Sequence, residues 1–370
     1  MSSKILIIDL HKIINSSADT IRRHKKYGTS LTDISKGSLS LKVLSPGRNF
    51  SAKPIVILFF LIELRNYLRI NSSKISLLVC GDPWVTLWVA ILASRLSKTS
   101  FPIQVQFHGD FGSAQWKSQN LTNRIKYKLI FLHFREIVGL RFVDKTQYKN
   151  LRNKISSRHL IQIVPVPLSI ECYESNFESF KRVIKKDNLT KLLFVGRLEK
   201  DRGIKNLYKI LSILNVSKAR FSIFIAGEGS KKYEMSELSN KKYTNLNIEV
   251  LGYVTGRKLV KLYKEADLFL SLAESESYGR SARESLLCGT PILAISSTGI
   301  AQLKKEVRGN AVTILAGDVD SSNLPNLIYK AASKKVNRRT INQMRQFEGV
   351  KVKALIDGWI EMLELLKLKN

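Results

Sequence analysis

Two glutamates flank a glycine in the segment 268–291, LFLSLAESESYGRSARESLLCGTP. Its pattern predicts a buried strand, an acidic loop with Glu276, and a helix that begins near Gly279 and carries Glu284. A glycine at such a turn lets backbone N–H groups approach an anion, which the positive end of the helix dipole also favours. Carboxylates beside such an anion site suit a ligand that also carries hydroxyl groups. The segment therefore indicates a site for a phosphorylated sugar or nucleoside, although two glutamates eight positions apart also occur on solvated helices.

A second cluster, GRLEKDRG, occupies residues 196–203 and follows a predicted strand at 192–196. Arg197, Lys200 and Arg202 lie between Gly196 and Gly203. Guanidinium groups match the oxygens of a pyrophosphate, because each offers a planar fork of donors. The loop therefore predicts a diphosphate contact, and a solvated basic loop in a basic protein is the alternative.

Two shorter signals also follow predicted strands. Gly227, Glu228 and Gly229 come after the strand at 221–226 and form a turn that either keeps side chains out of a cleft or starts a helix. His108 follows the strand at 102–107, where it could bond a substrate hydroxyl or serve as a structural histidine. Ligands of open parallel sheets bind beyond the carboxyl ends of the strands, so both positions are candidate ligand contacts.

Short apolar runs alternate with helical segments along most of the chain, which predicts an α/β protein with two doubly wound domains. Several runs are continuously apolar, as expected for parallel strands that are covered on both faces. We predict strands at 4–9, 76–81, 102–107, 137–143 and 160–166 in the first half, and at 192–196, 221–226, 248–251, 268–272, 291–295 and 312–315 in the second.

The domain boundaries follow from a polar stretch at 171–190 that is rich in Ser, Asn and Lys. We predict one domain at 1–175 and another at 186–351. A last segment, 352–370, has apolar residues at helical spacing through Leu368 and predicts a helix. It either closes the second domain or crosses back onto the first.

The net charge is +31, from 61 basic and 30 acidic residues among 370. The first half is the more basic one, with 26 basic and 8 acidic residues through Ile170. Such a surface attracts an anionic membrane, nucleic acid or a phosphorylated substrate. The aromatic residues lie mostly in apolar segments and no nucleic-acid motif occurs, so we expect an anionic membrane surface and no nucleic acid as partner.

The cysteines Cys80, Cys172 and Cys288 are odd in number and far apart. Their spacing argues against a disulfide framework and a metal cluster, and it fits a reducing compartment. The chain opens with a predicted strand rather than a basic-then-apolar leader, and its longest apolar run, 55–64, is too short to span a bilayer. We therefore expect a cytoplasmic location.

The motifs LLFVGRLEKDRG, IAGEG, VLGYV, LYKEADLFLSLAESESYG and ESLLCGTPILA follow one another in this order within 191–299. The ordered set resembles the family-four, retaining glycosyltransferases of the GT-B fold. The first half is similar more loosely, through VQFHGD and PVPLSIECY. The resemblance implies two Rossmann-like domains facing across a cleft, with the acceptor on the first domain and a nucleotide-sugar donor on the second.

The resemblance also implies residue roles. Arg197 and Arg202 would hold the donor diphosphate, Glu284 the ribose hydroxyls and Glu276 the hydroxyls of the donor sugar, while His108 would face that sugar. Arg202 replaces the more usual lysine. The remaining donor-binding positions are Gly196, Gly227, Glu228, Tyr278, Gly279 and Arg280. A glycine-rich loop usually follows the first strand of the family, whereas 10–19 contains no glycine here.

The activity implied is transfer of a hexose from a nucleotide sugar to a glycan or lipid-linked acceptor, with retention of anomeric configuration and without a metal or other cofactor. Bacterial surface polysaccharide synthesis at the inner face of the cytoplasmic membrane is the expected setting. The alternatives are a sugar-nucleotide epimerase, a non-catalytic protein of the same fold and a basic nucleic-acid-binding protein.

Overall fold

The computed structural model describes residues 5–10, 18–46, 54–108, 111–118, 121–168, 189–307, 309–315 and 323–367. The chain divides into a first unit, residues 1–167 with 348–370, and a second unit, residues 168–347. The predicted junction lies outside the described residues except for its last two positions, and so does most of the glycine-free segment, at 11–17.

A six-stranded parallel sheet forms the centre of the first unit, in the order β2-β1-β3-β4-β5-β6. Its strands are β1 Ile5–Leu10, β2 Leu39–Leu44, β3 Ile75–Cys80, β4 Ile103–Phe107, β5 Ile137–Phe142 and β6 Leu160–Ile163. The helices between them are α1 Ala18–Ile34, α2 Pro54–Asn71, α3 Val85–Leu96, α4 Ala114–Ser118, α5 Leu121–Leu129 and α6 Lys145–Leu151.

Separate apolar cores cover the two faces of this sheet. On one face, Phe60 and Leu64 of α2 and Ala90 of α3 pack on the strands together with Ile130. On the other face, α1 packs beside the last helix of the chain, α13 Arg338–Lys367, whose Trp359 is fully buried. The indole of Trp359 donates to the Gln104 side chain of β4 at 2.8 Å, which pairs the polar atom that burial would otherwise leave unsatisfied.

The second unit holds another six-stranded parallel sheet, in the order β12-β11-β10-β7-β8-β9. Its strands are β7 Leu189–Val195, β8 Arg220–Ala226, β9 Leu246–Gly252, β10 Leu268–Ser271, β11 Ile292–Ala294 and β12 Val312–Ile314. Its helices are α7 Ile204–Asn215, α8 Lys232–Ser239, α9 Gly256–Glu265, α10 Arg280–Leu287, α11 Thr298–Glu306 and α12 Leu324–Ala332. Cores on both faces bury the central strands β7 and β10. The prediction of two doubly wound α/β domains is confirmed.

Two details of the first sheet differ from the prediction. The edge strand β2 was not predicted, because its sequence LSLKVL carries Ser40 and Lys42 and only its first residue is buried. Strand β6 ends at Ile163 rather than at 166, since Pro165 has no N–H to continue the ladder.

Candidate functional site

The order of the second sheet reverses between β7 and β10, which are hydrogen-bonded neighbours. Chain segments leave the two strands in opposite directions across the sheet, so a crevice forms beyond their carboxyl ends, where α/β proteins bind ligands. The loop at 196–203 follows β7, and the loop at 272–279 follows β10. The basic and the acidic segments singled out by the sequence therefore meet at this switch point.

A glycine fixes the basic loop against the acidic one. Residues Lys200–Arg202 form a single 3-10 turn that ends at Gly203, which has a φ of +83°. A Cβ atom on Gly203 would come within 2.5 Å of the Leu272 carbonyl oxygen and 2.7 Å of the Ala273 nitrogen. Only glycine allows this backbone-to-backbone approach, because it also tolerates the left-handed conformation.

Across this contact, the charges of the two loops approach each other. The Nη1 atom of Arg202 lies 3.9 Å from Oε2 of Glu276, and its Nε lies 3.4 Å from the Asp201 carboxylate. Arg202 is 29% exposed and Glu276 is 27% exposed, so both groups can reach a ligand from a partly desolvated position. Arg197, on the same loop, is exposed.

The turn after β8 packs directly on the basic loop. A Cβ atom on Gly227 would overlap the Gly196 carbonyl oxygen, and one on Gly229 would come within 2.5 Å of the Leu198 carbonyl oxygen. The Leu198 N–H donates to the Glu228 carbonyl at 2.9 Å. These glycines therefore have a packing role, which is to let the two loops share backbone contacts.

Hydrogen bonds lower the pKa of two carboxylates on these loops, Glu199 and Glu228. Hydrogen bonds that the hydroxyl and N–H of Ser230 donate, at 2.6 and 2.9 Å, lower the pKa of Glu199. The pKa of Glu228 is lowered chiefly by its hydrogen bond from Lys232, at 2.7 Å. Because Glu228 also accepts from the Tyr253 N–H at 3.3 Å, its carboxylate is committed to neighbours within the unit.

The acidic loop closes on the amino terminus of α10. Oε1 of Glu276 accepts from the N–H groups of Tyr278 and Gly279, at 3.3 and 3.1 Å. Gly279 precedes the helix with a φ of +70°. The carboxylate is thus anchored through one oxygen by donors that suit an anion, while Oε2 faces Arg202.

The second glutamate of the pair is nearly buried on α10. Glu284 is 7% exposed, and its Oε2 accepts from the Tyr263 hydroxyl at 3.1 Å. Its other oxygen, Oε1, lies 3.6 Å from Nη2 of Arg280, one helical turn earlier. A carboxylate that is fixed in this way can accept hydrogen bonds from ligand hydroxyls in a defined direction.

Among the described residues, no group of three or more His, Cys, Asp or Glu side chains could hold a metal ion. The site consists of arginines, carboxylates and backbone N–H groups on the loops that follow three neighbouring strands and on α10. Such groups can stabilise a diphosphate and orient hydroxyls.

Residues 175–340 match the model of the family described as glycosyl transferases group 1. This segment is a glycosyl transferases group 1 domain. The chain is 34% identical over 134 residues to an uncharacterised glycosyltransferase, MJ1607, of Methanocaldococcus jannaschii. The aligned segment covers 35% of this chain and 34% of that protein. The chain spans 34% to 54% of the length of the first three curated relatives that it matches.

The fold matches solved glycosyltransferase structures over nearly the whole chain. Alr3699/HepE of Anabaena, solved with UDP and glucose, is 15% identical, with a TM-score of 0.62 over 98% of this chain and 99% of that one. Sucrose-phosphate synthase of Thermosynechococcus elongatus is 12% identical, with a TM-score of 0.66 over 99% and 98% of the two chains. At these identities the likeness establishes the GT-B fold.

Ten of the predicted site residues lie on the loops after β7, β8 and β10 of the glycosyl transferases group 1 domain or on α10, which follows the loop after β10. They are Gly196, Arg197, Arg202, Gly227, Glu228, Glu276, Tyr278, Gly279, Arg280 and Glu284. The eleventh, His108, directly follows β4 in the first unit and has an exposed side chain.

Sequence reasoning missed two residues that support the site of the glycosyl transferases group 1 domain. Arg283 is 1% exposed, donates from Nε to the Tyr278 carbonyl at 3.0 Å, stacks 4.1 Å from the Tyr278 ring centre and pairs with Glu306. Asn206 of α7 is buried and donates to the Leu272 carbonyl at 3.1 Å. The only available signal was a polar side chain at an apolar position of each helix.

Proposed function

We propose that this protein transfers a sugar from a nucleoside-diphosphate sugar to a glycan or lipid-linked acceptor. The observation that carries the proposal is the meeting of the Arg202 loop with the Glu276 loop at the β7/β10 switch point. Membership of the second unit in the glycosyl transferases group 1 family supports it, and so does a GT-B neighbour that was solved with UDP and glucose.

Charge development on the leaving group defines what the site must do. As the bond between the anomeric carbon and the phosphate oxygen breaks, its electron pair passes to the diphosphate. Arg197 and Arg202 and the amino terminus of α10 offer fixed positive charge and N–H dipoles for that growing negative charge. These groups supply the stabilisation that a metal ion gives in other transferases, so we propose that no metal is required.

The two glutamates would orient the donor by accepting hydroxyl hydrogen bonds. The family resemblance assigns Glu276 to the donor sugar, and the position of its carboxylate 3.9 Å from Nη1 of Arg202 is consistent with that role. The family resemblance assigns Glu284 to the ribose, and the hydrogen bond from the Tyr263 hydroxyl would hold its carboxylate in place for that role. His108 is assigned to the donor sugar by its match to the family motif alone.

We propose retention of anomeric configuration on the same family grounds. The acceptor oxygen would attack from the face that the phosphate leaves, and its proton would pass to the departing phosphate oxygen. The products would be a glycoside and a nucleoside diphosphate. The proposed setting is bacterial surface polysaccharide synthesis at the inner face of the cytoplasmic membrane, because the basic first unit suits an anionic lipid surface.

Donor binding can be tested by thermal shift with UDP, GDP and ADP, since a ligand that binds only the folded state raises its stability. Incubation with labelled sugar nucleotides then separates the alternatives. Transfer yields a labelled glycan, an epimerase yields an isomerised nucleotide sugar, and a non-catalytic protein yields neither product.

A matched pair of arginine variants tests the diphosphate assignment. Arg197 and Arg220 are both exposed, but Arg220 begins β8 and so lies at the opposite end of the same sheet. Arg197→Ala should raise the barrier to transfer by about 2–4 kcal/mol, whereas Arg220→Ala should leave it unchanged. Equal turnover in the two variants would refute the phosphate role.

A further inference from the structure

Exposed apolar side chains are concentrated on one layer of the first unit. Among the described residues, 20 large hydrophobic side chains are exposed, and 11 of them lie between positions 55 and 132. They belong to α2, α3, α5 and the turn that follows α5; they are Ile55, Leu58, Phe59, Ile62, Ile70, Leu92, Leu96, Leu121, Ile125, Leu129 and Leu132. A patch of this kind on a basic domain requires an explanation.

Helix α2 is apolar on two opposite faces over its first three turns. Phe60 and Leu64 fix the inner face, which packs into the core of the sheet. Leu58, Phe59 and Ile62 point outward and are 54%, 66% and 44% exposed. A helix with apolar residues all round is normally covered on all sides, so the outer face is suited to an apolar environment.

Helix α5 shows the same division. Leu121, Ile125 and Leu129 form an outward stripe at four-residue spacing and are 70%, 49% and 39% exposed. Arg124 and Lys128 are also exposed and lie along the edge of this stripe, three and seven residues after Leu121. Apolar residues bordered by cations are typical of helices that lie in a membrane interface.

These helices form one continuous layer. They pack into a common core on the same face of the sheet. Helix α2 contacts α3 where Nε of Arg65 donates to the Leu96 carbonyl at 3.4 Å. Trp88 of α3 contacts the ring of His133, in the turn that follows α5, with ring centroids 4.3 Å apart. The exposed apolar residues of α2, α3 and α5 therefore share one surface, which we call the docking layer.

We propose that the docking layer binds an anionic lipid bilayer by inserting its outer apolar side chains at the interface while its cations contact lipid phosphates. The proposal extends the membrane location in the proposed function and assigns it to a defined surface. Among the described residues, no helix has the length and hydropathy needed to cross a bilayer, so α2 would lie in the plane of the interface.

The charge of the docking layer favours an anionic bilayer over a second copy of this chain or nucleic acid. On α2, Arg65 and Arg69 follow Ile62 by one and two turns, and the exposed Glu63 is the one acidic residue of this helix, which leaves it with a net positive charge. A second copy of the same face would bring like charges together, which disfavours self-association. Nucleic acid would satisfy the cations but leave the apolar side chains in water. An anionic bilayer satisfies both, because long basic side chains reach the head groups while apolar ones enter the acyl region.

The test uses vesicles of phosphatidylcholine alone and vesicles with 30% phosphatidylglycerol, prepared at about 0.1 M and 0.5 M salt. The variant Leu58→Ser/Phe59→Ser is compared with Ile21→Ser/Val350→Ser. Ile21 and Val350 are 45% and 63% exposed but belong to α1 and α13 on the opposite face of the same sheet. We expect the α2 variant to bind anionic vesicles at least tenfold more weakly and the control to bind like the wild type. Circular dichroism checks that each variant is folded.

A second measurement reports insertion directly. The emission of an environment-sensitive fluorophore attached to the variant Ile62→Cys should shift to the blue on binding, and the emission of the same fluorophore on Val350→Cys should not. Binding that is unaffected by Leu58→Ser/Phe59→Ser, or lost entirely at 0.5 M salt, would overturn insertion. A wild-type dimer that this variant converts to monomer, or preferred binding of RNA, would overturn the lipid assignment. Vesicle binding is measured without donor, and the UDP thermal shift is run without vesicles, so this proposal can fail while the donor proposal stands.

Discussion

Replacing Gly203 by alanine should destabilise the second unit through two separate effects. The left-handed φ of +83° costs a non-glycine residue about 1–2 kcal/mol. The new Cβ would also lie 2.5 Å from the Leu272 carbonyl oxygen, and relieving that overlap costs about 1–3 kcal/mol. The expected loss in the free energy of unfolding is therefore about 2–5 kcal/mol, and a 3 kcal/mol loss in a unit of this size lowers Tm by about 6–12 °C.

Gly252→Ala is the control for backbone strain. Gly252 also has a positive φ, +67°, and lies in the same unit, but its nearest neighbour would be the flexible Glu228 carboxylate at 3.0 Å. Urea unfolding of both variants separates conformational strain, which they share, from the contact with the β10 loop, which only Gly203 makes. If Gly203→Ala loses no more stability than Gly252→Ala, the contact with the β10 loop does not hold the two loops together at the switch point.

Two further predictions concern side chains near the site. Arg283→Lys keeps the charge opposite Glu306 but loses the forked donors and the stacking on Tyr278. Urea unfolding should therefore show a decrease of about 1–3 kcal/mol in the free energy of unfolding, whereas the control Arg220→Lys should show no change. Burial, with a hydrogen bond to Glu234, raises the pKa of Tyr208 to about 12, so the absorbance difference between wild type and Tyr208→Phe should titrate near pH 12. Because tyrosine in the unfolded chain ionises near pH 10, the contribution of Tyr208 to stability is complete below pH 10 and is lost between pH 10 and 12. A difference titration centred at pH 10 would contradict the raised pKa of Tyr208.

The strands of the second unit were predictable because their signal is strong. All six predicted runs correspond to observed strands, since continuous apolar segments bounded by glycine, proline or polar residues have few other solutions in a parallel sheet. Strand β2 was not predictable by the same rule, because an edge strand contacts the core with few residues and tolerates Lys42.

The loops of the candidate site were predictable as positions but not as contacts. The glycines at 196, 203, 227 and 279 marked turns, and the structure places those turns on neighbouring strands. The hydrogen bond of Asn206 reaches Leu272, which is far away along the chain. The hydrogen bond of Arg283 runs from α10 back to Tyr278 in the loop before this helix. Such pairings depend on how α7 and α10 pack on the sheet, which local sequence does not encode. Whether the site residues act as the family resemblance implies stays a prediction.

The helix α13 has a consequence for how the chain acquires its structure during synthesis. Residues 338–347 of this helix are grouped with the second unit, and residues 348–367 with the first. Leu355 and Trp359 complete the core beneath Ile7 and Leu77, yet a ribosome adds them only after every residue of the second unit. One apolar face of the first sheet therefore stays uncovered while the ribosome synthesises the second unit. Chaperones bind exposed apolar surface of this kind.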